Sequence, residues 1–173
     1  LVRSRGLGDV YKRQVDKYIR TIYNKANDMD RLINELTVYS GIDNNRIPYH
    51  FHRINVAEYF GDCVEEVGLD LESKNVELDY SNLVTQDTMI IADPEQMKRV
   101  INNIISNSVK YMDKPKGKID IRLLDEVDSV RIEIEDNGKG IAAKDLPLIF
   151  ERFYRTDASR NSSQGGSGIG LSI

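Results

Sequence analysis

The chain has 173 residues, with 24 Lys and Arg against 28 Asp and Glu, one cysteine and no tryptophan. A chain of about this length makes one domain with room for an appendage and hides roughly 68–70% of its unfolded surface on folding, so no metal or disulfide staple is required. Cys63 alone excludes an internal disulfide, the formal charge of −4 argues against sequence-independent nucleic-acid binding, and no apolar run approaches the ~20 residues of a membrane span, so composition points to a soluble cytoplasmic chain.

Residues 1–14 carry four basic residues against one acid and show no usable periodicity, which reads as a non-native or disordered leader, with a basic anchoring arm as the alternative. From Val15 to about Ser40, Val15, Ile22, Met29 and Leu36 recur every seven residues, with Tyr18, Leu32 and Tyr39 at the companion position. That spacing predicts a long helix packing along a bundle or coiled-coil seam. Gly41 is placed to end it and Pro48 to prevent its resumption. An unpartnered stripe of this kind would be wet, so the helix expects partner helices. A linker from Ile42 to about Arg53 precedes a helix near Val56–Leu71, a strand marked by Val76, Leu78 and Tyr80, and a second short strand at Thr88–Ala92. Asp93-Pro94-Glu95-Gln96 then supplies an N-cap, a proline at the first helical position and a Gln three residues after the cap, and the helix should run to about Met112. Lys118–Leu124 and Ser129–Glu135 alternate as strands around an Asp125–Asp128 turn. The mixture predicts a two-layer α/β (α+β) sandwich with a mixed, mostly antiparallel sheet and helices on one face.

Three segments carry chemistry. At about 100° per residue, Met97, Ile101, Ile104, Ile105 and Ser108 share one face of the helix after Asp93, while Asn103, Asn107 and Lys110 form a polar column on another, with Tyr111 between them. Asn is a poor helix former, so Asn102, Asn103 and Asn107 ask for a compensating role. An amide oxygen is a hard neutral ligand suited to Mg²⁺, and an ammonium on the same column can neutralise phosphates; a plain solvated face is the alternative. Asp136 ends a strand in the parity of Val130, Ile132 and Ile134, so its carboxylate is expected toward the buried side, with Gly138 and Gly140 allowing a sharp turn and a close ligand. This suits the floor of a pocket for a planar ligand bearing an amino group, or simply an Asp-Asn-Gly turn. Gly165, Gly166, Gly168 and Gly170 fall within six residues, which exposes backbone N–H groups to an anion or makes a linker. No P-loop occurs, and Gly138-x-Gly140-x-x-Ala143 is a poor dinucleotide fingerprint because Pro147 interrupts the helix it would need.

Asn103-Ile-Ile-Ser-Asn107-Ser-Val-Lys110-Tyr111, Asp136-Asn-Gly138-Lys-Gly140-Ile141, Phe150-Glu-Arg-Phe153-Tyr154-Arg155 and Gly166-Ser-Gly168-Ile-Gly170-Leu171 together resemble the asparagine, first glycine, phenylalanine and second glycine boxes of bacterial sensor histidine kinases. The resemblance implies a leader at 1–14, the second helix of a dimerisation hairpin plus linker at 15–53, and a catalytic ATP-binding domain of the gyrase and histidine kinase fold at 54–173, cut short at its C-terminus. It implies ATP contacts by Asn103, Asn107, Lys110, Tyr111, Asp136, Gly138, Gly140, Ile141, Tyr154, Arg155, Gly166, Gly168, Gly170 and Leu171. Among these, Asn107 would hold Mg²⁺, Asp136 would accept from the adenine amino group, and Lys110 and Arg155 would meet phosphates. Thr156–Gln164 resembles the mobile ATP lid. The implied partners are ATP, a response-regulator receiver domain and a second copy of the chain, without nucleic acid, in a cytoplasmic domain whose parent is open to membrane anchoring. Hydrolysing relatives such as gyrase B, MutL and heat-shock chaperones carry a glutamate where Asn103 stands, and an amide is not a competent general base. Phosphoryl transfer should therefore await a histidine. His50 and His52 read as linker residues, so the acceptor is expected to be missing from this fragment. An ATPase of the same fold and an anti-sigma-like nucleotide-binding module remain the alternative functions.

Overall fold

The computed structural model describes residues 3–43, 48–156 and 167–172. They fall into two units divided between Ile47 and Pro48.

The first unit is one helix, α1 (Arg3–Asp43). It is longer than the stripe at Val15–Ser40 predicts at both ends. Gly6 and Gly8 each cost about 1 kcal/mol relative to Ala, but Arg, Leu, Lys and Gln around them are good helix formers. An established helix then extends at one hydrogen bond per residue fixed. The expected leader is thus helical from Arg3, and Gly41 lies inside the helix rather than ending it. Tyr18, Ile22, Met29, Leu32 and Leu36 are all exposed along α1, and the Tyr39 side chain lies outside the described residues. Among the described residues no helix is long and apolar enough to cross a membrane.

The second unit runs β1 (His52–Asn55), α2 (Val56–Ser73), β2 (Val76–Leu83), β3 (Met89–Ala92), α3 (Pro94–Lys110), β4 (Gly117–Asp125) and β5 (Val130–Asp136), followed by a single 3₁₀ turn at Leu146–Leu148. Strand β1 occupies the stretch expected to be linker, pairing antiparallel with β3 so that Arg53 faces Ile91 and Ile54 faces Ile90. Strand β4 is the centre of a three-stranded sheet, parallel to β2 and antiparallel to β5. Two of the three pairings are therefore antiparallel, in agreement with the expected mixed sheet.

Burial along β4 alternates as a half-covered strand demands. Gly117, Ile119, Ile121 and Leu123 are buried, while Lys118, Asp120 and Arg122 take the other face. The buried row joins Val56, Phe60, Cys63 and Leu71 of α2 and Ile101 and Ile105 of α3 in one core. Burial raises the Cys63 thiol above its usual range, which makes it an unreactive core residue. On the open face, Lys118 lies 2.9 Å from Asp79 and 2.8 Å from Asp120, and Arg122 reaches Glu133 and Glu135 at 3.0 and 2.9 Å. Such half-exposed pairs add little stability and mark this face as the solvated one.

Both helices of this unit begin on a side-chain cap. Asn55 Oδ1 accepts from the Glu58 N–H at 3.2 Å, while its Nδ2 donates to the Gln86 carbonyl at 2.9 Å. Helix α2 ends in a left-handed Asn75 with φ 58°, whose N–H donates to the Glu72 carbonyl. At α3, Asp93 Oδ1 accepts from the N–H groups of Glu95 and Gln96 at 3.0 and 3.2 Å, and Pro94 fills the position that needs no donor. Oδ2 of the same carboxylate accepts from the His50 N–H at 2.8 Å. These backbone donors, led by His50, hold the Asp93 carboxyl below the ordinary carboxylate range. A depressed folded-state pKa means that the stabilisation is complete above the unfolded value of about 3.9 and is lost as pH falls through the lower folded value. Asp93→Asn is expected to lower the urea midpoint at pH 7, and its deficit against wild type should shrink as pH is taken below about 4, a convergence that urea titrations across pH 3–7 will read.

Candidate functional site

Helix α3 presents the polar column in the predicted phase. Ile101, Ile105 and Ser108 are buried, Asn103, Asn107 and Lys110 are half-buried, and Asn102 is exposed outside the column. The helix closes at Tyr111, whose N–H donates to the Asn107 carbonyl at 3.0 Å.

The first glycine box packs against that closure. The Lys139 N–H points to the Tyr111 carbonyl at 3.4 Å. A Cβ at Gly138 would come within 2.9 Å of the Tyr111 carbonyl oxygen and 2.9 Å of Asp136 Oδ1, so only glycine fits there without a shift. The Tyr111 carbonyl and the Asp136 carboxylate thus both lie against Gly138. Asp136 itself departs from expectation. Its parity is that of Val130, Ile132 and Ile134, and it faces the fully buried Ile119, yet it is exposed. It is the last residue of β5, so its side chain stands at the rim of the covered face rather than under it. The donor that meets it is the Gly138 N–H, at 2.9 Å to Oδ1. Oδ2 remains an acceptor for a ligand.

Two residues here escaped the sequence reading. Asn137 clamps the turn to the start of β4: its Oδ1 accepts from the Lys118 N–H at 2.9 Å and its Nδ2 donates to the Lys116 carbonyl at 3.2 Å. The Asp-Asn-Gly signal at 136–138 could have revealed it, since Asn binds backbone readily. Lys139 places its Nζ 4.7 Å from the Tyr111 ring centroid, and the Lys110 Nζ lies 5.2 Å from the same centroid. Two ammonium groups thus lie over one aromatic ring.

The second glycine box is held at three points. Ile169 is fully buried. Gly168 sits at φ +74°, and a Cβ there would fall 2.7 Å from the Tyr154 carbonyl oxygen and 2.8 Å from the Phe153 carbonyl carbon. Asn103 Nδ2 donates to the Gly170 carbonyl at 2.8 Å. Leu171 and Arg155 are half-buried nearby in sequence to these contacts. The Tyr154 hydroxyl is engaged by Asp145 Oδ1 at 2.6 Å, while Gly140, with φ +69°, and the exposed Ile141 lie on the open side of the first glycine box. Gly165, Gly166 and lid positions 157–164 lie outside the described residues. Gly168→Ala meets both a left-handed φ and a backbone clash, whereas Gly140→Ala meets the φ alone, with nothing within 4 Å of the new Cβ. Gly140→Ala is expected to cost about 1 kcal/mol of strain, and Gly168→Ala distinctly more, with amide exchange at Ser172 accelerated only in the latter.

Comparison with known proteins bears on what this arrangement does. Residues 92–173 match the family model described as histidine kinase-, DNA gyrase B- and HSP90-like ATPase. Over 160 residues the chain is 30% identical to the sensor histidine kinase WalK of Bacillus subtilis, an alignment covering 91% of this chain and 26% of that protein. It therefore spans about a quarter of that relative's length. The fold resembles full-length ShkA in complex with AMPPNP, with a TM-score of 0.72 at 19% identity over 90% of this chain and 32% of the other. It also resembles the histidine kinase ThkA in complex with the response regulator TrrA, with a TM-score of 0.64 at 21% identity over 76% of this chain and 38% of the other. A cap-started α3 lined with asparagines, a glycine turn beside an acceptor carboxylate and a second glycine segment bonded to α3 accord with these matches, and residues 92–173 carry a histidine kinase-, DNA gyrase B- and HSP90-like ATPase domain similar to that of sensor histidine kinases.

Proposed function

We propose that this chain binds ATP with Mg²⁺ and supplies the kinase half of a phosphorelay, in which the γ-phosphoryl passes to a histidine and then to an aspartate of a response regulator. The observation that carries the reading is the meeting of Tyr111, Asp136 and Gly138 at one end of α3 while Asn103 and Gly170 meet further along the same helix. An adenine at the Asp136 end and phosphates toward the second glycine box fit that separation. Relatives seen with AMPPNP and with a response regulator support both partners.

The roles follow from chemistry. The free acceptor lone pairs of Asp136 suit the exocyclic amino group of adenine, which a guanine would replace with a carbonyl. Tyr111 and Ile141 supply flat and aliphatic surface beside it. Lys110, with Arg155, neutralises phosphate charge. Asn107 offers a half-buried amide oxygen, one turn before Tyr111, as the single protein ligand of a Mg²⁺ that otherwise keeps waters and phosphates; when bound, the ion supplies charge neutralisation for phosphoryl transfer. Gly166, Gly168 and Gly170 offer backbone donors. The catalysis asked of the chain is positioning and electrostatic stabilisation, and with Asn103 in place of an acid no side chain on this column acts as a base toward water.

The acceptor histidine comes from elsewhere in the parent protein. His52 belongs to β1 and the His50 N–H is committed to Asp93, so neither lies on a bundle helix. The exposed stripe of α1 suits a homodimeric bundle in the whole protein, with the domain placed in the cytoplasm, where ATP is supplied.

Three outcomes check this reading by isothermal titration. Wild type should bind ATP and discriminate against GTP. Asp136→Ala should weaken ATP by about tenfold to a hundredfold, the loss of a hydrogen bond to a charged group, and equal binding by the variant would remove Asp136 from the site. Asn107→Ala should abolish the Mg²⁺ dependence of binding, and unchanged dependence would overturn its metal role. With γ-labelled ATP the chain should acquire no phosphohistidine by itself.

A further inference from the structure

The bond from Asn103 to Gly170 does more than mark one end of the site. Asn103 Nδ2 donates across 67 residues to the Gly170 carbonyl at 2.8 Å. Gly170 lies against the same side chain, since a Cβ there would sit 3.8 Å from Asn103 Cγ and 3.9 Å from Oδ1. The geometry is selective. A backbone carbonyl accepts and never donates, so the group opposite must be a donor. Aspartate has the shape of asparagine but, when ionised, has acceptors only. A glutamate at this position, as in the hydrolysing relatives, would likewise set a carboxylate against a carbonyl.

The three attachments of the second glycine box are not equivalent. Ile169 is fully buried, and Gly168 abuts the backbone of Phe153 and Tyr154. The Asn103 bond joins the box to α3, the helix that carries Asn107 and Lys110. It sets the distance between the glycine backbone and that column.

We propose that Asn103 is a positioning residue: its amide holds the second glycine box at α3 before nucleotide arrives, and the need for a donor toward the Gly170 carbonyl, beyond the absence of a general base, requires an amide at this position. The consequence for binding rests on the ATP reading above, whereas the bond itself does not. Preorganising the box spares ATP the ordering of that segment, so removing the strut weakens nucleotide binding with or without metal. Alanine leaves the carbonyl to water, while aspartate repels it, so the conservative variant should be the worse of the two.

The test compares wild type, Asn103→Ala and Asn103→Asp in the full chain, with ATP as the probe in the presence of Mg²⁺ and in excess EDTA. Side-chain amide spectra of ¹⁵N-labelled wild type are recorded without nucleotide. One Asn103 side-chain N–H should be protected from exchange, and ATP affinity should fall about threefold to tenfold in Asn103→Ala and further in Asn103→Asp, in EDTA as well as in Mg²⁺. If both Asn103 side-chain protons exchange at the rate of a solvated amide, the strut is refuted whether or not ATP binds. A loss confined to Mg²⁺ conditions would assign Asn103 to the metal and overturn the proposal, as would equal affinities for the Ala and Asp variants. Failure of wild type to bind ATP would instead sink the nucleotide reading, and protection of the Asn103 amide would then still support the strut.

Discussion

Helix α3 has one starting point, and much of the described site depends on where that is. Asp93 cannot continue a helix backward past its own cap, and Pro94 cannot donate to a preceding turn. The rotational phase of every later residue is fixed from there: Ile101 and Ile105 turn into the core, while Asn103, Asn107 and Lys110 turn along its flank. The same carboxylate takes the His50 N–H. One buried group therefore ties the beginning of the second unit to the helix that bears the polar column.

Around α3 the chain solves two different problems with glycine. In the first glycine box the demand at Gly138 is lateral closeness, because the turn after β5 must pass against the Tyr111 carbonyl. In the second, Gly168 needs a left-handed backbone as well as closeness to residues 153 and 154. Neighbouring side chains that look incidental complete each arrangement. Asn137 binds the turn back to β4, and Ile169 is an apolar plug set between two glycines. The segments most flexible in composition are thus held by the residues interleaved with the glycines.

What could be read in advance was what is local. The Asp93 cap, the 3.6-residue period of α3 and the alternation of β4 and β5 are encoded within a few residues of where they act, and all appear where the pattern puts them. Strand β1 was hidden because His-Arg-Ile-Asn shows no alternation, and what makes it a strand is β3, nearly forty residues away. Helix α2 likewise begins at Val56, where the pattern puts it, with Asn55 capping the Glu58 N–H. For Asp136, parity gave the right face but could not give depth, since depth depends on how far the helices cover the strand end. The bond from Asn103 to Gly170 is invisible to any local rule. Four short boxes in a familiar order carried the function further than any of these periodicities, because each box marks a backbone shape as well as a residue type.

The abutment of Gly168 on Tyr154 has a consequence for the stretch of chain between them. Its two ends are brought together by the fold itself, through a backbone contact that tolerates no side chain. Loop-closure entropy grows only logarithmically with length, and doubling such a segment costs about 0.6 kcal/mol. A change in the length of that stretch therefore costs the fold little, whereas a side chain at the glycine that fastens its end costs it a backbone clash.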